Sequence, residues 1–292
     1  MRMWHIQSVL SVLPTPVIGI FVFLFGLLLG SFLNVCIVRI PARKSIVMPA
    51  SACPNCGAPI RPYDNIPVLS WALLRGKCRA CKAKISGMYP LVELLTALLF
   101  LGCYAAFGLT TEALKWAIFS ALVIVLVFTD LRERILPDAV NFTGFALGLA
   151  LSFVTRPADG TALWVAMRVF HFPPPAPVNS FVDALLGAAL GSGLLWLVSE
   201  AYFRLRGREG MGMGDVKMML MAGAFLGVKR TLLTIFAGSL LGSILGLAFM
   251  AARRKDSNYE LPFGTFLGMA ALLVVFFGTP VVSWYQSVLL GR

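Results

Sequence analysis

Long apolar runs separated by polar connections set the plan of this chain. Eight runs stand out, over residues 15–38, 90–109, 113–129, 139–155, 181–199, 216–228, 231–251 and 264–289. A helix needs about 20 apolar residues to cross a bilayer. The pattern therefore predicts an all-α polytopic membrane protein of about eight transmembrane helices. The third, fourth and fifth runs are short for a crossing, and 216–228 is shorter still, rising only about 20 Å as a helix. Short or broken helices are tolerated at membrane depth where they line protein or a water-filled cavity, so a site is expected to open there. The first run is too long for a signal-peptide core and lacks a small-residue cleavage site, so it reads as a retained span.

Composition agrees. Apolar residues make up 59% of the chain and charged residues 13%, against about 45–50% and 25% in soluble domains. The net charge of +12 is best read through its placement. Of the 25 Lys and Arg, nine lie in 39–89, two at 132–134, four at 204–217 and three at 253–255, leaving seven for the opposite side. Positive charge marks the cytoplasmic face, so these 18 are assigned inside and both termini outside. No long basic segment carries interleaved aromatics, which argues against nucleic acid; the insert's bases are expected to meet anionic lipid headgroups. The organisation expected is a first span (1–38), a cytoplasmic insert (39–89) and a membrane bundle (90–292). The loop at 156–180, with Pro173, Pro174, Pro175 and Pro177, reads as a stiff extended segment without chemistry.

The insert holds Cys53-Pro54-Asn55-Cys56 and Cys78-Arg79-Ala80-Cys81. Each CxxC puts two thiolates on one tight turn, and two such turns complete a four-sulfur zinc site. Gly57 suits the first turn. The alternative is a reduced thiol cluster or redox pair. Four sulfurs leave no open coordination position, so the zinc is expected to be structural, supplying folding energy to a segment with few large apolar residues. Cys36 and Cys103 lie in apolar runs and read as packing residues.

Acids near a membrane interior are costly and each needs a reason. Asp138 follows Pro137 and is expected to cap the helix starting at Ala139. Asp183, three after Ser180, resembles a capping box. Glu93 follows Pro90 in a first helical turn. Two acids are harder to read this way, although an N-cap role is the alternative for Asp215. Asp130 ends the run Trp116–Thr129, and Asp215 sits in Gly212-Met213-Gly214-Asp215-Val216-Lys217. Topology puts both at similar depth on one face, and Gly212 and Gly214 leave backbone open to an extended peptide. Two carboxylates at the edge of a low-dielectric region suit peptide hydrolysis, one ionised and one protonated. The only histidines, His5 and His171, are both expected outside, which leaves no cytoplasmic His mechanism. A transporter or channel using membrane acids is the competing class, and a scaffold with a zinc module a third.

These residues resemble a known family. Gly212-Met213-Gly214-Asp215 matches the GxGD signature of membrane aspartyl proteases, and almost the full length is similar to bacterial type IV prepilin peptidases. The resemblance runs through Gly30-Ser31-Phe32-Leu33-Asn34-Val35 with Arg39-Ile40-Pro41, the two CxxC pairs, Tyr89-Pro90-Leu91-Val92-Glu93, Asp130 with Leu136-Pro137-Asp138, Gly212 to Lys217, and Leu261-Pro262-Phe263-Gly264. It implies a bifunctional enzyme of the bacterial inner membrane. One activity cuts a basic leader after glycine in type IV prepilins or type II secretion pseudopilins. The other N-methylates the new terminus with S-adenosyl-methionine. Carried over, Asp130 and Asp215 form the catalytic pair, with Asp138 the weaker candidate for the first place. Lys217 is expected to hold Asp215 or the substrate backbone. One departure stands at Thr265, where the family usually has proline.

Overall fold

The computed structural model describes residues 15–156, 159–169, 171–208, 210–253 and 262–290. His5, Leu261, Glu209, Asp256, Glu260, Arg254 and Lys255 lie outside them. Among the described residues there is no strand, only two isolated bridges in the insert, and the chain is helical. The long helices are α1 (Thr15–Arg39), α3 (Met88–Phe107), α4 (Thr111–Glu133), α5 (Asp138–Ser152), α7 (Ala176–Arg206), α8 (Met213–Arg253) and α9 (Phe263–Leu290); α2 (Leu69–Leu73) and α6 (Thr161–Val169) are short. Six of them are long and apolar enough to cross a membrane. Every apolar run became a helix. The count of eight is approximate for two reasons: α5 has only 15 residues, and 216–228 and 231–251 form one element interrupted at Gly227, whose φ of 73° no helix accommodates.

The chain divides into two compact units, residues 1–121 and 122–292. In the first, α1 packs on α3 through Gly26 and Gly30. A Cβ at either would come within 2.6 Å of a Cα of α3, at Ala97 or Glu93. That is the backbone-to-backbone approach that G-x-x-x-G pairs permit where lipid offers no hydrophobic drive. The opposite face of α1, with Phe21, Leu24 and Leu28, is exposed, as expected of a surface solvated by acyl chains.

The same device organises the second unit twice over. Gly187 on α7 faces Gly223 and Gly227 on α8, and Gly191 faces Met219 and Thr231. A Cβ at Gly187 would fall 2.7 Å from the Gly227 Cα, and one at Gly191 2.6 Å from the Met219 carbonyl. The core of this unit includes Met218, Met219, Met221 and Phe225 on α8, all fully buried.

Several local expectations are corrected. The 156–180 loop is not simply extended: it contains α6. Asp159 accepts from Thr161 N at 3.0 Å, and Asp183 accepts from Gly160 N at 3.0 Å and Ala162 N at 2.6 Å. Asp183 therefore satisfies the first turn of α6; its own helix starts seven residues earlier, at Ala176, so no capping box forms with Ser180. Glu93 lies beyond the first turn of α3, is buried, and accepts from Val68 N at 2.7 Å. Asp138 does not cap α5; both its oxygens take the Lys217 ammonium at 2.8 Å. In each case a tertiary partner outcompeted the local one.

Candidate active site and cysteine cluster

Three helix ends build the candidate active site, all within the second unit. Asp130 lies in the last turn of α4, where Arg134 N donates to its carbonyl and Arg134 (φ 55°) turns the chain out of the helix. Asp215 lies in the first turn of α8, its N–H on the Gly212 carbonyl at 3.1 Å. Gly264 and Thr265 open α9. Both aspartates are buried, at 5% and 8% exposure, and their side chains meet beside Gly264. A Cβ there would stand 3.0 Å from Asp215 Oδ1 and 3.2 Å from Asp130 Oδ2. Those two oxygens are thus no farther apart than the sum, 6.2 Å. Carboxyl groups held within that ceiling are close enough for one water, reaching about 2.8 Å to each group, to lie between them. The positive ends of the α8 and α9 dipoles point at the pair and favour negative charge between them.

Leu136 supplies the apolar wall. Its side chain lies where a Cβ at Gly214 would meet it at 3.0 Å, and its Cδ1 2.8 Å from a Cβ at Gly264. Gly214 is therefore tightly packed, whereas a Cβ at Gly212 would make only ordinary contact, 3.8 Å from Asp215 Oδ2. Lys217 is held by Asp138 rather than by Asp215. Asp138 is itself exposed, with 57% of its side-chain surface free, and makes no part of the buried pair. Sequence reasoning passed over Thr265, which donates to Asp130 Oδ2 from its N–H at 2.7 Å and its hydroxyl at 2.8 Å.

The four insert cysteines of the first unit converge, their sulfurs all within 4.8 Å of one another. Two matching knuckles place them. Cys53 N donates to Ala58 O and Gly57 N to Cys53 O; Cys78 N donates to Ala83 O and Lys82 N to Cys78 O. Gly57 (φ 69°) and Lys82 (φ 61°) take the same left-handed position, so the second knuckle bends without glycine. The Cys53 and Cys81 sulfurs lie 3.9 Å apart, and four sulfurs around a tetrahedral ion at 2.3 Å lie about 3.8 Å apart. The donor set fits a metal such as zinc. The Ala83 N–H, helped by the Asn55 amide, brings the Cys81 thiol down to about 6, while Cys56 beside it is pushed up to about 11. Arg79, inside the second knuckle, grips Asp64 through Nε and Nη2 and holds that carboxyl below its usual range.

Family models match both parts of the chain: a bacterial peptidase A24 N-terminal domain over residues 24–107 and the type IV leader peptidase family over 117–247. The prepilin leader peptidase/N-methyltransferase of Aeromonas salmonicida is 34% identical over 92% of this chain and 94% of its own length. The chain belongs to the type IV leader peptidase family. Proteins of the same description from Pseudomonas aeruginosa, 36% identical over 90% of this chain and 91% of that one, and from Myxococcus xanthus, 38% identical over 85% and 70%, are also similar. No solved structure matches. Both matched segments include one of the clusters described above, the leader peptidase segment containing Asp130 and Asp215 and the N-terminal segment the four cysteines.

Proposed function

We propose that this protein removes the basic leader from type IV prepilin-like proteins, after glycine, and N-methylates the residue so exposed. The observation that carries the first half is the meeting of two buried carboxyl groups, 85 positions apart in the sequence, at the ends of α4 and α8. Like charges this close do not both ionise easily, so the pair holds one proton. The ionised oxygen takes a proton from water as it attacks the scissile carbonyl, while the protonated one donates to the carbonyl oxygen. The proton belongs to the pair as a unit. A pilin helix lies in the bilayer with its basic leader on the side where positive loops collect. The proposal therefore puts Asp130, Asp215 and the insert at the cytoplasmic face of the inner membrane, with the bond to be cut at that depth. Gly212 offers the open backbone on which an extended substrate segment rests. A transporter reading finds no support beside relatives named as peptidases.

Methylation calls for S-adenosyl-methionine as methyl donor. Among the described residues the fold has no strand–glycine loop–helix cradle of the kind that holds dinucleotides in Rossmann proteins, and this half of the proposal rests on the relatives' names. Zinc is assigned to Cys53, Cys56, Cys78 and Cys81 as a structural ion with no free coordination position. Cys53→Ser and Cys81→Ser are each expected to lower bound metal from about one ion per chain, read by elemental mass spectrometry, and to open the insert to proteolysis. Unchanged metal content would remove the four-thiolate site.

The function is tested by incubating the purified protein with a prepilin, with and without S-adenosyl-methionine, and weighing the products. Loss of the leader in both reactions, with one methyl group added only in the second, is the expected result. An intact prepilin in both would reject the assignment.

A further inference from the structure

We infer that Thr265 is a positioning residue for the proposed aspartyl pair, fixing which oxygens of Asp130 take part in the reaction. The inference rests on the reading of Asp130 and Asp215 as that pair. Asp130 Oδ2 accepts two hydrogen bonds from one residue, the Thr265 N–H and hydroxyl. An sp2 oxygen has two lone-pair directions, and both are taken. The shared proton therefore sits on Asp130 Oδ1 or on Asp215, and water is handled through the oxygens Thr265 leaves free. The donors are rigidly placed: Thr265 is 3% exposed, and its N–H belongs to the first turn of α9, where no intrahelical acceptor competes for it. Burial and the bond to Oδ2 itself hold the hydroxyl in place.

The step served is the hydrolysis already described. Thr265 holds the Asp130 carboxyl plane, does not touch the substrate, and gains or loses no proton. Removing only the hydroxyl isolates it. Thr265→Val keeps the N–H and the shape, and loses one hydrogen bond to a charged group. The expected result is a fall in kcat of about ten- to a hundred-fold with KM unchanged. Thr265→Ser, which restores the hydroxyl, is expected to recover most of that loss. Thr265→Ala gives the same comparison should the valine variant fail to accumulate. Asp130→Asn is assayed beside them. Wild-type kcat in both Thr265→Val and Thr265→Ala, or a serine variant as slow as valine, overturns the positioning role while an inert Asp130→Asn leaves the pair standing. Normal cleavage by Asp130→Asn removes the pair itself, and Thr265's role with it.

Discussion

Asp130→Asn and Asp215→Asn are each expected to give a folded, membrane-inserted protein that leaves prepilin uncut, with kcat lower by about 10²–10⁴-fold. Asparagine keeps the shape and the acceptor oxygen, so the Thr265 hydrogen bonds to position 130 can persist. What is lost is the shared proton. An amide neither takes a proton from water nor donates one from a hydroxyl group, and each half of the reaction fails for want of the other. For that reason the double variant is expected to be no slower than either single one, because residues that act as a unit are not additive. Asp138→Asn is the control. Its carboxylate is exposed and bound to Lys217, and an exposed ion pair contributes about 0–1 kcal/mol, so cleavage should continue near the wild-type rate. A mass spectrum of the prepilin after incubation reads all four variants. Complete processing by either single asparagine variant would end the proposed mechanism.

The helices were legible because apolar runs in a membrane chain have few alternatives: their backbone must be satisfied within the segment. Even the break near residue 228 showed as a polar gap, although its cause, a left-handed Gly227, did not. What stayed hidden depends on partners distant in sequence. Asp183 looked like the cap of its own helix and serves α6 instead. Glu93 looked like a first-turn acid and binds Val68 N. Lys217 and Asp138, 79 positions apart, pair with each other. Capping rules weigh neighbours three residues away, and none of these contacts is local. Thr265 is the sharpest case. As a departure from a motif it looked like a blemish, yet its backbone N–H and hydroxyl both reach Asp130. The paired cysteines were easier, since C-x-x-C fixes two ligands within one turn and leaves only the meeting of the two turns to the fold. The G-x-x-x-G spacings at 26/30, 187/191 and 223/227 were in plain sight and carry a packing meaning in apolar helices.

That packing leads to the second large effect. Gly223→Val is expected to unsettle the whole second unit and to abolish cleavage along with it. A Cβ at Gly223 would lie 2.5 Å from the Gly187 carbonyl carbon and 2.7 Å from Ala188 N. These are backbone atoms of α7 and cannot swing aside as a side-chain tip can, so the helices must separate. Overpacking ordinarily costs about 1–3 kcal/mol, and here it falls where the close approach is itself the attraction between helices. The consequence reaches the site by a short route. Asp215 lies eight residues before Gly223 on the same helix, while Asp130 is carried by α4, so displacing α8 moves one carboxyl relative to the other. A shift of about 1 Å can cost about a hundredfold in rate. Gly193→Val on α7 is the matched control, since a Cβ there meets nothing within 4 Å. Thermal unfolding in detergent, followed alongside cleavage, should show Gly223→Val losing both and Gly193→Val losing neither. If Gly223→Val melts and cuts like the parent, the close α7–α8 crossing does not exist in the membrane, and the placement of Asp215 needs another support.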